Sequence, residues 1–231
     1  MDKAIAIITA RGGSKRIPHK NIKDFLGQPI IKYAIDAALE SKIFDTIMVS
    51  TDDEEIAGVA KQCGADVPFM RSEETSNDVA TTSDALLEVI YQYKKENHEF
   101  ENLCCIYPCV PLLKGSTLVK AYSVFTENDV DALMPVVQYS YPIQRSLRLN
   151  GDELLEYLHP EYISSRTQDL EPAYHDVGMF YIIKTEVLLK EKSLVPPKTM
   201  AFVMDELEIQ DIDTPDDWAM AELKYKLIIS R

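Results

Sequence analysis

Short uninterrupted apolar runs alternate along the chain with longer amphipathic stretches. Ala4-Ile5-Ala6-Ile7-Ile8 sets the pattern within a run at 3–9, and similar runs follow at 46–51, 102–107 and 131–137. Stretches of helical periodicity fall between them: one opened by Pro29 and reaching about Ser41, then about 53–63, 81–96 and 115–127. Strands without polar alternation are covered on both faces, so this order predicts an α/β chain with a mostly parallel sheet between two helical layers. Gly115-Ser116 is read as the cap of the helix that follows it.

The rhythm breaks over 138–171. There, Asn150-Gly151 separates Ser146-Leu147-Arg148-Leu149 from Glu153-Leu154-Leu155-Glu156-Tyr157, which is a hairpin signal. The segment reads as an insertion in a catalytic domain made of 1–137 and 172–231. An isolated hairpin cannot bury its apolar side chains by itself, so a contact with a second copy of the chain is expected. Strand signals resume at 178–184 and 200–204. A last helix is expected from Pro215 to about Ile229, with Thr214 as its cap.

Charge sharpens this picture. The chain of 231 residues carries a formal net charge of -14, yet the stretch from Arg11 to Lys23 holds five Lys/Arg residues, His19 and no acid. This island directly follows the first apolar run, where open α/β sheets bind ligands. Gly12 and Gly13 allow close backbone approach. Arg11, Lys15 and Lys20 supply charge that backbone amides cannot, which points to a polyphosphate. Gly-x4-Gly-Lys-Ser/Thr and Gly-x-Gly-x-x-Gly are both absent, so neither a Walker loop nor a dinucleotide fingerprint is present. The acidic balance argues against nucleic-acid binding. No apolar run is long enough to span a membrane, and the start lacks the features of a signal peptide, so a cytoplasmic location is expected. Cys63, Cys104, Cys105 and Cys109 form no C-x-x-C pair and read as reduced thiols.

A second constellation is Asp211-Ile212-Asp213-Thr214-Pro215. On an extended segment, residues i and i+2 face the same way, so Asp211 and Asp213 can converge on a cation. Two carboxylates with phosphate oxygens and water suit Mg²⁺. The other reading makes Asp213 a helix starter and Asp211 a turn residue. In Ser50-Thr51-Asp52-Asp53-Glu54-Glu55 the last three acids complement a helix dipole, while Asp52, nearest the strand end, stays a site candidate. Arg71 and the Asn77–Thr81 segment either line a base or ribose pocket or form a polar loop and cap.

Taken together, Ala10-Arg-Gly-Gly-Ser-Lys-Arg-Ile-Pro-His-Lys-Asn21, the Ser-Thr-Asp-Asp strand end and Asp211-Ile-Asp-Thr-Pro215 resemble the acylneuraminate cytidylyltransferases, or CMP-sialic acid synthetases. The resemblance runs in order over nearly the whole chain. It implies the Rossmann-like, three-layer nucleotide-diphospho-sugar transferase fold, a dimerisation insertion at 138–171, and the joining of CMP from CTP to an acidic nine-carbon sugar. It implies a triphosphate-binding pair in Arg11 and Lys20, with Ala10, Gly12, Gly13, Ser14 and Lys15 around it. Arg71, Asn77, Ala80 and Thr81 fall on the nucleotide side, Asp211 and Asp213 on the metal, and Arg166 on an anion of the sugar. Where many sialic acid enzymes have Gln-Pro-Thr-Ser-Pro, this chain has Tyr107-Pro-Cys-Val-Pro111. Together with Tyr141–Arg145 and Gln168–Asp176, that difference resembles the pseudaminic acid branch. It adds Tyr107, Gln168, Tyr174, Asp176 and Phe180, with Met179 nearby, as candidate sugar contacts. His19 and His175 are left outside the expected site. The rival readings are a cytidylyltransferase for another nonulosonic acid or a non-sugar alcohol, and a catalytically silent nucleotide-sugar binder.

Overall fold

The computed structural model describes residues 4–14 and 16–230. In chain order the elements are β1 (Ala4–Thr9), β2 (Asp24–Phe25), β3 (Gln28–Pro29), α1 (Ile30–Ser41), β4 (Thr46–Ser50), α2 (Glu54–Gln62), α3 (Glu73–Ser76), α4 (Thr82–Lys95), β5 (Asn102–Ile106), α5 (Gly115–Glu127) and β6 (Ala132–Gln138). They continue with β7 (Leu147–Leu149), β8 (Leu155–Tyr157), β9 (Tyr174–Asp176), β10 (Phe180–Lys184), α6 (Thr185–Glu191), β11 (Thr199–Val203) and α7 (Pro215–Ile229).

The central sheet runs β11-β6-β10-β5-β1-β4, with β9 also paired to β6. β1 is parallel to both β4 and β5, and β6 is parallel to β11, whereas β10 runs antiparallel to β5 and β6. The reversal has a topological cause. No crossover helix separates β6 from β9 and β10, so the returning chain must pair antiparallel. Alternation along β1 divides the core. Ala6 and Ile8 pack towards α1, α2 and α5, while Ile5 and Ile7 pack towards α4 and α6. A smaller cluster of Ile17, Phe25, Ile30, Ile212, Trp218 and Ala221 fastens α7 beneath the loop after β1. Among the described residues no helix is long and apolar enough to cross a membrane. All four cysteines are free, with Cys104 and Cys105 buried in β5.

Several local expectations change. Gly115 is the first residue of α5 and not its cap. The cap position is Lys114, whose side chain makes no capping hydrogen bond. Glycine is needed here because a Cβ would lie 2.9 Å from both Glu40 Cβ and Ser41 N, where α1 and α5 cross. The hairpin of β7 and β8 is also built differently. Asn150 Oδ1 accepts the N–H groups of Asp152 and Leu154, and the left-handed residue is Glu153 (φ 61), not Gly151. The loop is therefore longer than the two-residue Asn-Gly turn, and β8 starts at Leu155.

Candidate active site

The loop after β1 is held open by its neighbours. Ala10 is fully buried and its N–H continues the β1–β4 ladder to the Ser50 carbonyl at 2.9 Å. Gly12 donates its N–H to Asp52 Oδ1 at 2.9 Å. A Cβ on Gly12 would sit 2.8 Å from Asp53 Oδ2, and the other oxygen of Asp53 accepts from Glu55 and Ile56 at the start of α2. The retained candidate Asp52 thus shapes the loop, while Asp53 caps a helix. Asn21, 4% exposed, ties the loop down. Its Nδ2 donates to the Arg11 carbonyl at 2.8 Å, and its Oδ1 accepts from Cys109 Sγ at 3.3 Å.

These constraints leave a cleft of about 590 Å³ at the carboxyl ends of β1 and β5. Of the residues expected in it, Arg11, Gly13, Ser14, Lys20, Arg71, Asn77, Ala80, Thr81, Tyr107 and Asp211 line it. Lys15 lies outside the described residues. Arg11 reaches over the cleft to the 77–81 loop, donating to the Asn77 carbonyl at 3.4 Å and pairing with Asp78 at 3.1 Å. Both partners are exposed, so the pair is worth about 0–1 kcal/mol. Arg71 is more firmly placed. Its Nε and Nη2 donate to Ser50 Oγ and O at 2.9 and 2.6 Å, and burial lowers its pKa against the pull of Asp52 and Glu88.

The alternative role for Asp213 is resolved by the start of α7. Thr214 and Asp217 form the capping box there, and the Asp213 carboxylate takes no part in it. Asp213 Oδ1 instead faces Arg16 Nη2 at 2.9 Å and Lys20 Nζ at 3.6 Å. Lys20 also donates to the Ile212 carbonyl at 2.7 Å. Asp211 has its pKa raised, first by loss of water and then by the charge of Asp213, with Lys20 opposing. The two carboxylates therefore share one electrostatic neighbourhood with the loop cations.

Other expected residues stand elsewhere. Phe180 is fully buried beside Phe202, and Met179 is 1% exposed, so neither side chain offers a sugar contact. Successive strand residues point to opposite faces, and Phe180 takes the α1 side. Arg166, Gln168 and Tyr174 are exposed and do not line the cleft; nor does Asp176. The Asp176 carboxylate accepts from Gly178 N and Tyr181 Oη. Asn77 and Thr81 line the cleft but already have local work. Asn77 Oδ1 accepts the N–H groups of Val79 and Ala80, and Thr81 caps α4 in a capping box with Asp84. Arg16, Asn21, Thr82 and Tyr181 were not singled out by the sequence reading. The Ile-Pro-x-Lys-Asn run was the signal available for Asn21.

Sheet order, glycine loop and cleft define an α/β fold with a cationic cleft at the carboxyl ends of its strands. Solved structures agree on the fold. A CMP:2-keto-3-deoxy-manno-octonic acid synthetase complexed with CTP superposes with a TM-score of 0.70 at 17% identity, covering 99% of this chain and 100% of that one. The 4-diphosphocytidyl-2C-methyl-D-erythritol synthase of Anaerococcus prevotii does so with 0.66 at 14% identity, covering 100% and 99%. The family model for cytidylyltransferases matches residues 5–193. The chain is 41% identical over 225 residues to the pseudaminic acid cytidylyltransferase of Campylobacter jejuni strain 81-176, covering 97% of both chains. It is 31% identical to the CMP-N,N'-diacetyllegionaminic acid synthase of Legionella pneumophila, again covering 97% of both. The chain belongs to the cytidylyltransferase family, in its acylneuraminate group, and is a nucleotidyltransferase.

Proposed function

We propose that this enzyme transfers CMP from CTP to the anomeric hydroxyl of a nonulosonic acid, with pseudaminic acid as the sugar. The observation that carries the chemistry is that Asp211 lines the cleft with the loop cations, while Asp213, which is not part of the lining, pairs with Arg16 and Lys20, which are. The sugar assignment rests on the 41% identity to a pseudaminic acid cytidylyltransferase and on Tyr107 in the cleft wall.

Arg11, Lys20 and the amide at Gly13 hold the triphosphate; the Ser14 N–H is already taken by the Gly12 carbonyl at 2.9 Å. The sugar oxygen forms a bond to the α-phosphorus as the bond to the bridging β-oxygen breaks, and pyrophosphate leaves with its charge matched by the loop cations. Such transfers depend mainly on positioning and charge neutralisation. Arg71 and the 77–81 loop flank the nucleotide. No described side chain is assigned as the general base, and the hydroxyl proton passes to solvent.

Asp211 and Asp213 are the residues that would hold Mg²⁺. Their oxygens are hard donors, and Asp211, desolvated and beside the charge of Asp213, is the carboxylate a further cation would relieve. Among the described residues no cluster of three metal-ligating side chains exists, so phosphate and water would complete the shell. When bound, Mg²⁺ would neutralise phosphate charge and acidify the attacking hydroxyl.

The insertion is proposed to join two copies into a homodimer. Tyr141 is 83% exposed, and Leu149, Leu154 and Leu155 are 63–67% exposed in this one segment. A cytoplasmic setting, where CTP is available, belongs to the same proposal. The test is pyrophosphate release from CTP. It is expected to require both Mg²⁺ and a nonulosonic acid; CTP binding without release would favour a silent binding protein, and release with an alcohol phosphate instead would favour a non-sugar acceptor.

A further inference from the structure

Behind the cleft wall stands a phenol that does not reach the cleft itself. Tyr181 lies on β10, 5% exposed, and faces α4, opposite to its neighbour Phe180. Its hydroxyl donates to Asp176 Oδ2, and Asp176 Oδ1 accepts the Gly178 N–H at 2.9 Å. One carboxylate therefore fixes both the Tyr181 ring and the turn between β9 and β10. Burial, and then this hydrogen bond, push the Tyr181 pKa up, so the hydroxyl stays a donor.

Both fixed groups bear on Tyr107. The Tyr107 and Tyr181 rings meet edge to face, with centroids 5.7 Å apart and planes at 63°. Tyr107 N donates to the Met179 carbonyl at 2.9 Å, and its hydroxyl lies 3.4 Å from Thr82 Oγ1 at the start of α4. Gly178 (φ 61) lines the cleft beside it, and a Cβ there would sit 3.9 Å from the Tyr107 ring. Tyr107 is thus braced by β10 behind, by the Gly178 turn at its flank and by Thr82 at its tip. A cleft wall made from one aromatic side chain has two free torsions, and its neighbours decide where it stands.

We propose that Tyr181, anchored by Asp176, is a positioning residue that sets the Tyr107 ring as the wall of the sugar subsite and so governs which nonulosonic acid is accepted. The inference rests on the reading above that the Tyr107 end of the cleft receives the sugar. The phosphate end is built from the loop after β1 and the 77–81 loop, whereas the hydrogen bond and the ring contact of Tyr181 go to Asp176 and Tyr107. Its loss should therefore be felt on the sugar alone.

Tyr181→Phe keeps the ring and removes the anchor, and Asp176→Asn weakens the same bond from its other end. Each is expected to raise KM for pseudaminic acid by roughly tenfold, with KM for CTP within about twofold of the wild type. In competition with N-acetylneuraminic acid, product ratios should shift towards unity. The double variant should be no worse than the poorer single one, because both break one link. Unchanged sugar KM and product ratio in both variants would overturn the assignment, as would equal losses for sugar and CTP, the mark of general damage. Thermal melts of Tyr181→Phe verify that the fold survives; a variant that keeps its sugar KM after losing thermal stability also counts against the proposal. A wild-type enzyme that makes CMP-sugar while Tyr181→Phe behaves identically sinks only this inference. A wild type without CMP-sugar product sinks the sugar-subsite reading and this inference with it.

Discussion

Lys20 Nζ donates to the Ile212 carbonyl at 2.7 Å and lies 3.6 Å from Asp213 Oδ1, so the glycine loop and a segment 192 positions further on form one ion-paired unit. The cation proposed to neutralise phosphate is thus already paired with a carboxylate. Arg11 and Asp78 repeat this arrangement at 3.1 Å on the other side of the cleft. On the proposed reading, substrate charge exchanges partners with these existing pairs.

Lys20→Met should remove that unit from both ends. Turnover of CTP is expected to fall about 10²–10³-fold in kcat/KM, the usual loss when one preorganised charge partner of a transition state is deleted. Steady-state pyrophosphate release measures it, with circular dichroism to confirm the fold. A loss below about threefold would remove Lys20 from the phosphate site.

Asp211→Asn should separate stability from function. The raised pKa of Asp211 means that the native chain holds a proton more readily than the unfolded chain. Stability is therefore lost as pH rises from the unfolded to the native pKa, and at neutral pH the charged form burdens the fold in full. In metal-free buffer the substitution should raise Tm near neutrality and confer no gain at pH below both pKa values. With Mg²⁺ present the same substitution should remove most turnover. Melting curves across pH in chelator give the first result, and a variant less stable than wild type near neutrality contradicts it.

Gly115→Ala tests the fold away from the site. The added methyl group would meet Glu40 Cβ and the Ser41 backbone at 2.9 Å, and backbone cannot move aside cheaply. A loss of about 1–3 kcal/mol is expected in urea unfolding. A shift under about 0.5 kcal/mol would show that α1 and α5 have more room than their crossing indicates.

These features differ in how far the sequence discloses them. The β1 run and its glycine loop are legible because apolar continuity, glycine and charge fall within one short stretch. So is α7, whose Thr214 cap and Pro215 start are local signals. Strand direction is not local: the apolar run that becomes β10 looks like any parallel strand, and only the missing crossover helix turns it round. Phe180 and Tyr181 show the same limit. Alternation places them on opposite faces, but which face backs the cleft depends on β5 and α4. Gly12 reads as a site of close backbone approach to phosphate, yet its N–H belongs to Asp52, a partner 40 positions away. Asn77 and Thr81 look like ligand contacts by type, although their polar atoms serve the turn and the cap of α4.

The insertion makes a prediction about assembly. Its Tyr141, Leu149, Leu154 and Leu155 are exposed, and on the proposed reading a second copy covers them. Sedimentation velocity of the full chain should show a dimer, and Leu149→Glu with Leu155→Glu should shift it towards monomer. A clean wild-type monomer at micromolar concentration would contradict the assigned role of the segment.

The central claim is most directly tested by the identity of the product. Enzyme, CTP and Mg²⁺ are incubated with equal amounts of pseudaminic acid and N-acetylneuraminic acid, and the nucleotide sugars are resolved by mass spectrometry. The account predicts pyrophosphate together with CMP-pseudaminic acid, in excess over CMP-N-acetylneuraminic acid by roughly ten- to a hundredfold. Equal or greater formation of the N-acetylneuraminic acid product would contradict the sugar assignment, and the absence of any CMP-sugar would contradict the account as a whole.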